Sequence, residues 1–288
     1  MGDRRVLVVV SPEFAAFGYD LVGSFASLQD AVDAVPLNNQ VRTIIRIAPE
    51  LHHLAGSEIK DTVICCDNTA TRIKHTQSSE VIGTGTFSAT VIVEGDDFVA
   101  ENVIFKNSAP HVSGQAAAAC VTADRCAFYN CRFLGWQEIL HLHGEKQFFK
   151  NCYIEGNYDF IFGDSTALLE HCHIHCKSTG YITAHGQKSS SESTGFVFFK
   201  CVITGNGEAA NMYLGRSWEP FGRVVFAETF MDHCIEPAGM SERVALCKEL
   251  IGDEATPFLV KTFVDPDVQN PWLLHRSGTK LPVSTASP

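Results

Sequence analysis

Two short stretches of this sequence repeat each other with their acidic residues in step. The first is Cys131-Arg-Phe-Leu-Gly135-Trp-Gln137-Glu138-Ile-Leu and the second is Cys152-Tyr-Ile-Glu-Gly156-Asn-Tyr-Asp159-Phe-Ile; cysteine, glycine and acid each recur at an offset of 21 residues. Two carboxylates held close together in a partly dry groove cannot both ionise cheaply, so one stays charged while the other keeps its proton. Such a pair supplies a nucleophile or base beside a general acid and needs no metal. Gln115 lies 22 residues before Gln137, so two amides recur at nearly the same period, and amide donors aimed at one point suit an oxyanion. Arg216 and Trp218, in Tyr213-Leu-Gly-Arg-Ser-Trp218, would add a cation for the ionised carboxylate and a flat apolar platform for a sugar. Spacing alone leaves the bland readings open: a solvated acidic ladder, a surface ion pair and a packed tryptophan.

A 21-residue repeat is too short for a helix pair with its turns and suits one coil of a β-solenoid. In such a coil, residues one repeat apart stack at about 4.8 Å, which would put Glu138 over Asp159. Apolar runs read as strands at residues 5–10, from Val41, and then at Thr90–Val93, Phe98–Phe105, Cys126–Phe133, Phe148–Ile154, Ala167–Ile174, Phe196–Ile203 and Val224–Phe230. Val103, Cys131, Cys152, Cys172, Cys201 and Thr229 align in these runs, and their uneven spacing fits a fixed coil with insertions on one side. The cysteines are expected to form an inward ladder of small side chains. Asn102, Asn130 and Asn151 precede three of the ladder residues and are expected to form an inward asparagine ladder, bonding coil to coil. His171, His173 and His175 would share one face about 7 Å apart, too spread for tetrahedral zinc without other ligands, so no metal site is expected.

Phe25, Leu28, Val32 and Val35 fall at helical spacing before Pro36 and predict a helix that caps the open end of the solenoid. A second helix is expected over Glu242–Ile251, packed along the side, and a polar tail over about 278–288. The chain therefore reads as one domain over residues 1–288, with a capping region over about 1–40.

At 288 residues, 45% hydrophobic and 19% charged, the chain can bury a large core and is not disordered. A net charge of −11 argues against nucleic acid as a partner. No apolar run reaches membrane-spanning length, the N-terminus lacks a signal-peptide core, and no Asn-x-Ser/Thr acceptor occurs. Eleven cysteines, an odd number, argue against a disulfide framework.

At Gly114-Gln115-Ala-Ala, Gly135-Trp-Gln137-Glu138, Gly156-Asn-Tyr-Asp159-Phe-Ile-Phe-Gly163, Tyr181-Ile-Thr-Ala and Leu214-Gly-Arg216-Ser-Trp218 the sequence resembles the pectin methylesterases, specifically plant enzymes without a long pro-region. The resemblance runs from about Val6 to Trp272 and implies an all-β fold, a right-handed parallel β-helix with a substrate groove along one side. It implies hydrolysis of galacturonosyl C6 methyl esters in pectin, without a cofactor. Asp159 would be the nucleophile, Glu138 the general acid and base, and Gln115 with Gln137 the oxyanion site. Arg216 would hold Asp159, while Trp218, Phe160 and Gln115 would contact the sugar. A monomer, a cell-wall or extracellular location and a proteinaceous pectinesterase inhibitor as a partner are implied in the same way. Glu138 departs from the family's aspartate, His141 from a usual tyrosine, Ser217 from proline or alanine and Met240 from a groove tryptophan; segments are missing near Glu50–His53 and after Met240. These departures motivate a competing reading, a protein that binds pectin without turnover. A thioesterase acting on an acyl carrier is a third reading, without support in the residues.

Overall fold

A computed structural model describes residues 6–9, 20–24, 43–46, 53–55, 62–67, 89–207, 211–236, 250, 252–259 and 261–273. Val6–Val9 is flanked by Asp20–Ser24 and Thr43–Arg46 in a small parallel sheet, which accounts for the first expected strands. The remaining strands wind into a parallel β-helix with three faces. Along the first face Val91–Val93, Ala119–Val121 and residues 140–142, 161–163, 183–185 and 215–217 pair in succession. The second face runs through His53–Ala55, Val99–Glu101 and residues 127–129, 148–150, 168–170, 197–199 and 225–227. The third runs through Val63–Cys66, Ile104–Asn107, Arg132–Leu134 and residues 153–155, 173–175, 202–204 and 230–231.

Most runs expected as single strands are corners. Each breaks at one residue with left-handed backbone: Asn102, Asn130, Asn151, His171, Lys200 and Glu228, with φ between 47° and 57°. That residue swings the chain from the second face to the third, and the next one points inward. Asparagine tolerates this conformation better than most residues, which explains three asparagines in three coils. The expected inward asparagine ladder is therefore wrong: Asn130 and Asn151 are exposed and Asn102 is half-buried.

The inward ladder is made by the residues that follow. Cys131, Cys152, Cys172 and Cys201 are buried free thiols, and burial pushes the first three well above the usual thiol range. Cys152 Sγ donates to the carbonyls of Phe128 and Lys150, at 3.4 and 3.5 Å. Thr229 Oγ1 repeats the arrangement toward Phe198 and Ala227, so the ladder asks for a small side chain with one donor. Stacked phenylalanines fill the interior beside it: Phe128 lies over Phe149 at 4.8 Å and Phe105 over Phe133 at 5.2 Å.

The helices expected at 24–35 and 242–251 fall almost entirely outside the described residues, as do Met240 and the tail at 278–288. Residues further on cover the solenoid's side. Val264, Trp272 and Leu273 pack on Val99, Ala127, Phe148, Leu168 and Val197, the outward side chains of the second face. The Trp272 indole donates to the Val264 carbonyl, and the buried Asp265 carboxylate accepts the Trp272 and Leu273 amides.

Candidate active site

Gly135 and Gly156 open the turn that leads from the third face to the first. A Cβ at Gly135 would lie 2.4 Å from Ile139 Cδ1, and one at Gly156 would lie 2.4 Å from Phe160 Cβ. The glycines thus make room for Ile139 and Phe160, which plug the core with no exposed surface. The residue before each plug is the acid, and both acids take left-handed backbone, φ 54° at Glu138 and 45° at Asp159. Non-glycine residues hold such conformations only where the surroundings over-determine them, and functional sites are where they cluster.

Coil-to-coil bonds fix the register. Glu138 N donates to Tyr158 O at 3.1 Å, and Leu140 pairs with Ile161 at the 21-residue offset that also separates the acids. Gln115 Nε2 donates to Glu138 Oε1 at 2.6 Å, and the Gln137 side chain bonds the same carboxylate. Arg216 Nε donates to both Asp159 oxygens at 3.0 Å, with Nη2 on Oδ2 as well. The guanidinium lies over the Tyr158 and Tyr181 rings, 4.9 and 5.4 Å from their centres. The expected set of Gln115, Gln137, Glu138, Asp159 and Arg216 therefore comes together.

Burial pushes the Glu138 carboxyl above the usual range; the Gln115 amide pulls it back, and the neighbouring Asp159 pushes it further up. Burial also raises Asp159, against the hydrogen bonds and charge of Arg216. Arg216 is itself raised by Asp159, so the two partners register opposite balances. The reason is asymmetry: Asp159 is almost wholly buried, whereas the Arg216 side chain is 48% exposed and loses little solvation. Asp159 has a cation on both oxygens, whereas Glu138 is hydrogen-bonded by amides and feels Arg216 only through its charge, an arrangement that favours the anion more at Asp159 than at Glu138.

Trp218 stands 56% exposed at the rim, with its ring 5.9 Å from Phe162. Phe160, expected against the sugar, is instead a core residue. The left-handed turn at Asp159 resets the strand alternation, so Phe160 and Ile161 both face inward and Phe162 faces out. Phe162 stacks on His141 at 4.5 Å and 10° between planes and is itself buried, with the Trp218 ring beside it. His171 lies at a corner, not on the strand with His173 and His175, and those two share the Thr204 hydroxyl at 2.8 and 2.9 Å. Among the described residues no group of three His, Cys, Asp or Glu could hold a metal ion.

The pectinesterase family model matches residues 15–247. Pectinesterase 31 of Arabidopsis thaliana is 53% identical over 302 aligned positions, covering 91% of this chain and 95% of the relative. That alignment is longer than the 288-residue chain, so the relative carries residues where this chain has none. Among solved structures, the pectin methylesterase from carrot matches with a TM-score of 0.60 and 27% identity, over 81% of this chain and 75% of that one. Pectin methylesterase PemA from Erwinia chrysanthemi matches with a TM-score of 0.67 over 92% and 98%; at 21% identity this likeness concerns the fold alone.

Proposed function

The chain belongs to the pectinesterase family, and from that premise we propose how its own residues hydrolyse the methyl esters of pectin. The Asp159 carboxylate attacks the C6 ester carbonyl carbon of a galacturonosyl unit. The carbonyl oxygen takes up the negative charge and is met by amide N–H groups of Gln115 and Gln137. Gln115 Nε2 carries two hydrogens; one binds Glu138, and the other remains for the oxyanion. Collapse of the adduct expels methoxide, which leaves as methanol with the Glu138 proton, and a mixed anhydride joins Asp159 to the sugar acid. Glu138, now ionised, takes a proton from water as the water attacks the same carbonyl carbon. Asp159 departs as a carboxylate, Glu138 is protonated again, and the pectin carries a free acid. Trp218, exposed at the rim, offers an apolar face to the sugar.

The observation that carries this reading is the two-oxygen grip of Arg216 on Asp159, one coil from an acid held only by amides. Methanol release from highly methylated pectin tests it. Asp159→Asn should abolish release, whereas release unchanged in that variant would refute the role. Glu138→Asp should stay active if the longer acid only matches reach. A natural protein that is folded, binds oligogalacturonide and releases no methanol would leave the binding protein without turnover. Family membership also supports a cell-wall or extracellular setting and a proteinaceous pectinesterase inhibitor as a partner. Loss of methanol release on adding such an inhibitor tests the second, and fractionation of the producing tissue tests the first.

A further inference from the structure

The segment carrying Trp218 leaves the first face at Ser217 and leads into the second at Arg223, and both of its ends meet one residue of the coil beneath. Ser217 pairs with His185 in the strand ladder, and the Arg223 N–H comes back to His185 Nδ1 at 3.1 Å. Gln187 supports the middle of the segment, accepting Phe221 N–H on its backbone carbonyl at 3.2 Å. His185 is 1% exposed, with its ring edge-on to Phe196 at 4.6 Å. A backbone N–H can only donate, so Nδ1 must be bare and the ring proton sits on Nε2, which faces the Ser165 carbonyl at 3.4 Å.

We propose that His185 is a positioning residue for ester hydrolysis, holding the 217–223 segment through Nδ1 and so setting Trp218 beside Phe162 at the rim of the groove. The proposal rests on the reading that this groove holds the methylated chain. A second proton on His185 would set an N–H against the Arg223 N–H and release the segment. The charged groups facing the ring are Asp164, 3.9 Å from Nε2 and held by the Thr194 hydroxyl, together with Arg223 and Glu192. Burial and Arg223 disfavour the imidazolium, while Asp164 and Glu192 favour it; burial prevails and the ring stays neutral below its ordinary range.

The test measures KM and kcat for methanol release across pH in the natural protein, His185→Phe and His185→Gln, with affinity for methylated oligogalacturonide in parallel. His185→Phe keeps the ring volume over Phe196 and loses the acceptor, so KM should rise about fivefold, the scale of one lost hydrogen bond, with kcat little changed. His185→Gln can accept from Arg223 through Oε1 and should keep the natural KM. The natural protein's KM should rise toward acid pH, and His185→Gln should not show that rise. Equal KM in all three proteins, or equal damage in Phe and Gln, would overturn the role. If His185→Phe does not fold, the acid rise decides: its persistence in His185→Gln overturns the proposal. Turnover that survives Asp159→Asn would fail the site chemistry separately, because the His185 effect is read in KM and in affinity.

Discussion

At the scale of single residues, the two acids differ in what surrounds them and not in how deeply they lie, and this sets the pH dependence. The proposed mechanism requires Asp159 ionised and Glu138 protonated, and both carboxyls are displaced upward by burial. The Asp159 charge adds to the rise at Glu138, so the two titrations are linked and both limbs move up from the ordinary carboxylate range. Arg216 is what lowers Asp159, so Arg216→Gln should move the acid limb of kcat/KM to higher pH, and a pH–rate profile checks it. Gln115→Ala removes a proposed oxyanion donor and should lower kcat by about a hundredfold to a thousandfold. Because the same amide favours ionised Glu138, the alkaline limb should shift upward in that variant. Linkage gives a stability counterpart. A carboxyl raised in the folded state contributes stability below its unfolded value and loses it as pH rises through the folded value. Glu138→Gln should therefore melt higher than the natural protein near neutrality, with the difference vanishing in acid; an unchanged melting curve at pH 7 would contradict this. The acids were legible in the sequence because the repeat fixes their register. Phe160 was misread because the resemblance, and not a count of strand faces, set it against the sugar, whereas its ring fills the space that Gly156 leaves in the core.

At the scale of elements, the sequence disclosed coils and hid their corners. The turn between the second and third faces is one residue long and carries no glycine or proline, so the apolar pattern runs through it and imitates one strand. The asparagines were the available signal, and they marked backbone conformation instead of side-chain bonding. A β-branched residue at φ 54° should make the cost visible: Asn151→Val is expected to lose about 1–2 kcal/mol in chemical denaturation, while Asn151→Gly should stay near the natural value. His171, Lys200 and Glu228 fill the same corner in later coils, so the fold tolerates that conformation in residues other than asparagine. The corner matters for the site because it keeps each coil in phase. The 21-residue offset that stacks Glu138 on Asp159 survives only while the corner at Asn151 turns at the same place as the corner at Asn130.

At the scale of the whole molecule, the solenoid has chemistry on its first face and its fastening on its second. A parallel coil touches mainly its neighbours, so its stability is close to a sum of adjacent-coil terms. The segment ending in Trp272 changes that, because it lies across Ala127, Phe148, Leu168 and Val197, one outward residue from each of four successive coils. Nothing in its sequence announces this: Val264, Trp272 and Leu273 follow no period, and their partners read as ordinary strand positions. The strap covers apolar side chains that would otherwise face water, and its bonds to Asp265 keep the turn closed around the indole. Trp272→Ala should therefore cost about 3–5 kcal/mol, the usual range for emptying a buried tryptophan site. Ordinary truncation of a surface contact would cost far less, so the denaturation midpoint separates the two. Methanol release below the melting temperature should be unchanged, because the described residues Val264, Trp272 and Leu273 pack on second-face side chains and not on the first face. Lost turnover in a folded Trp272→Ala protein would instead mean that the second face transmits coil spacing to the stacked acids.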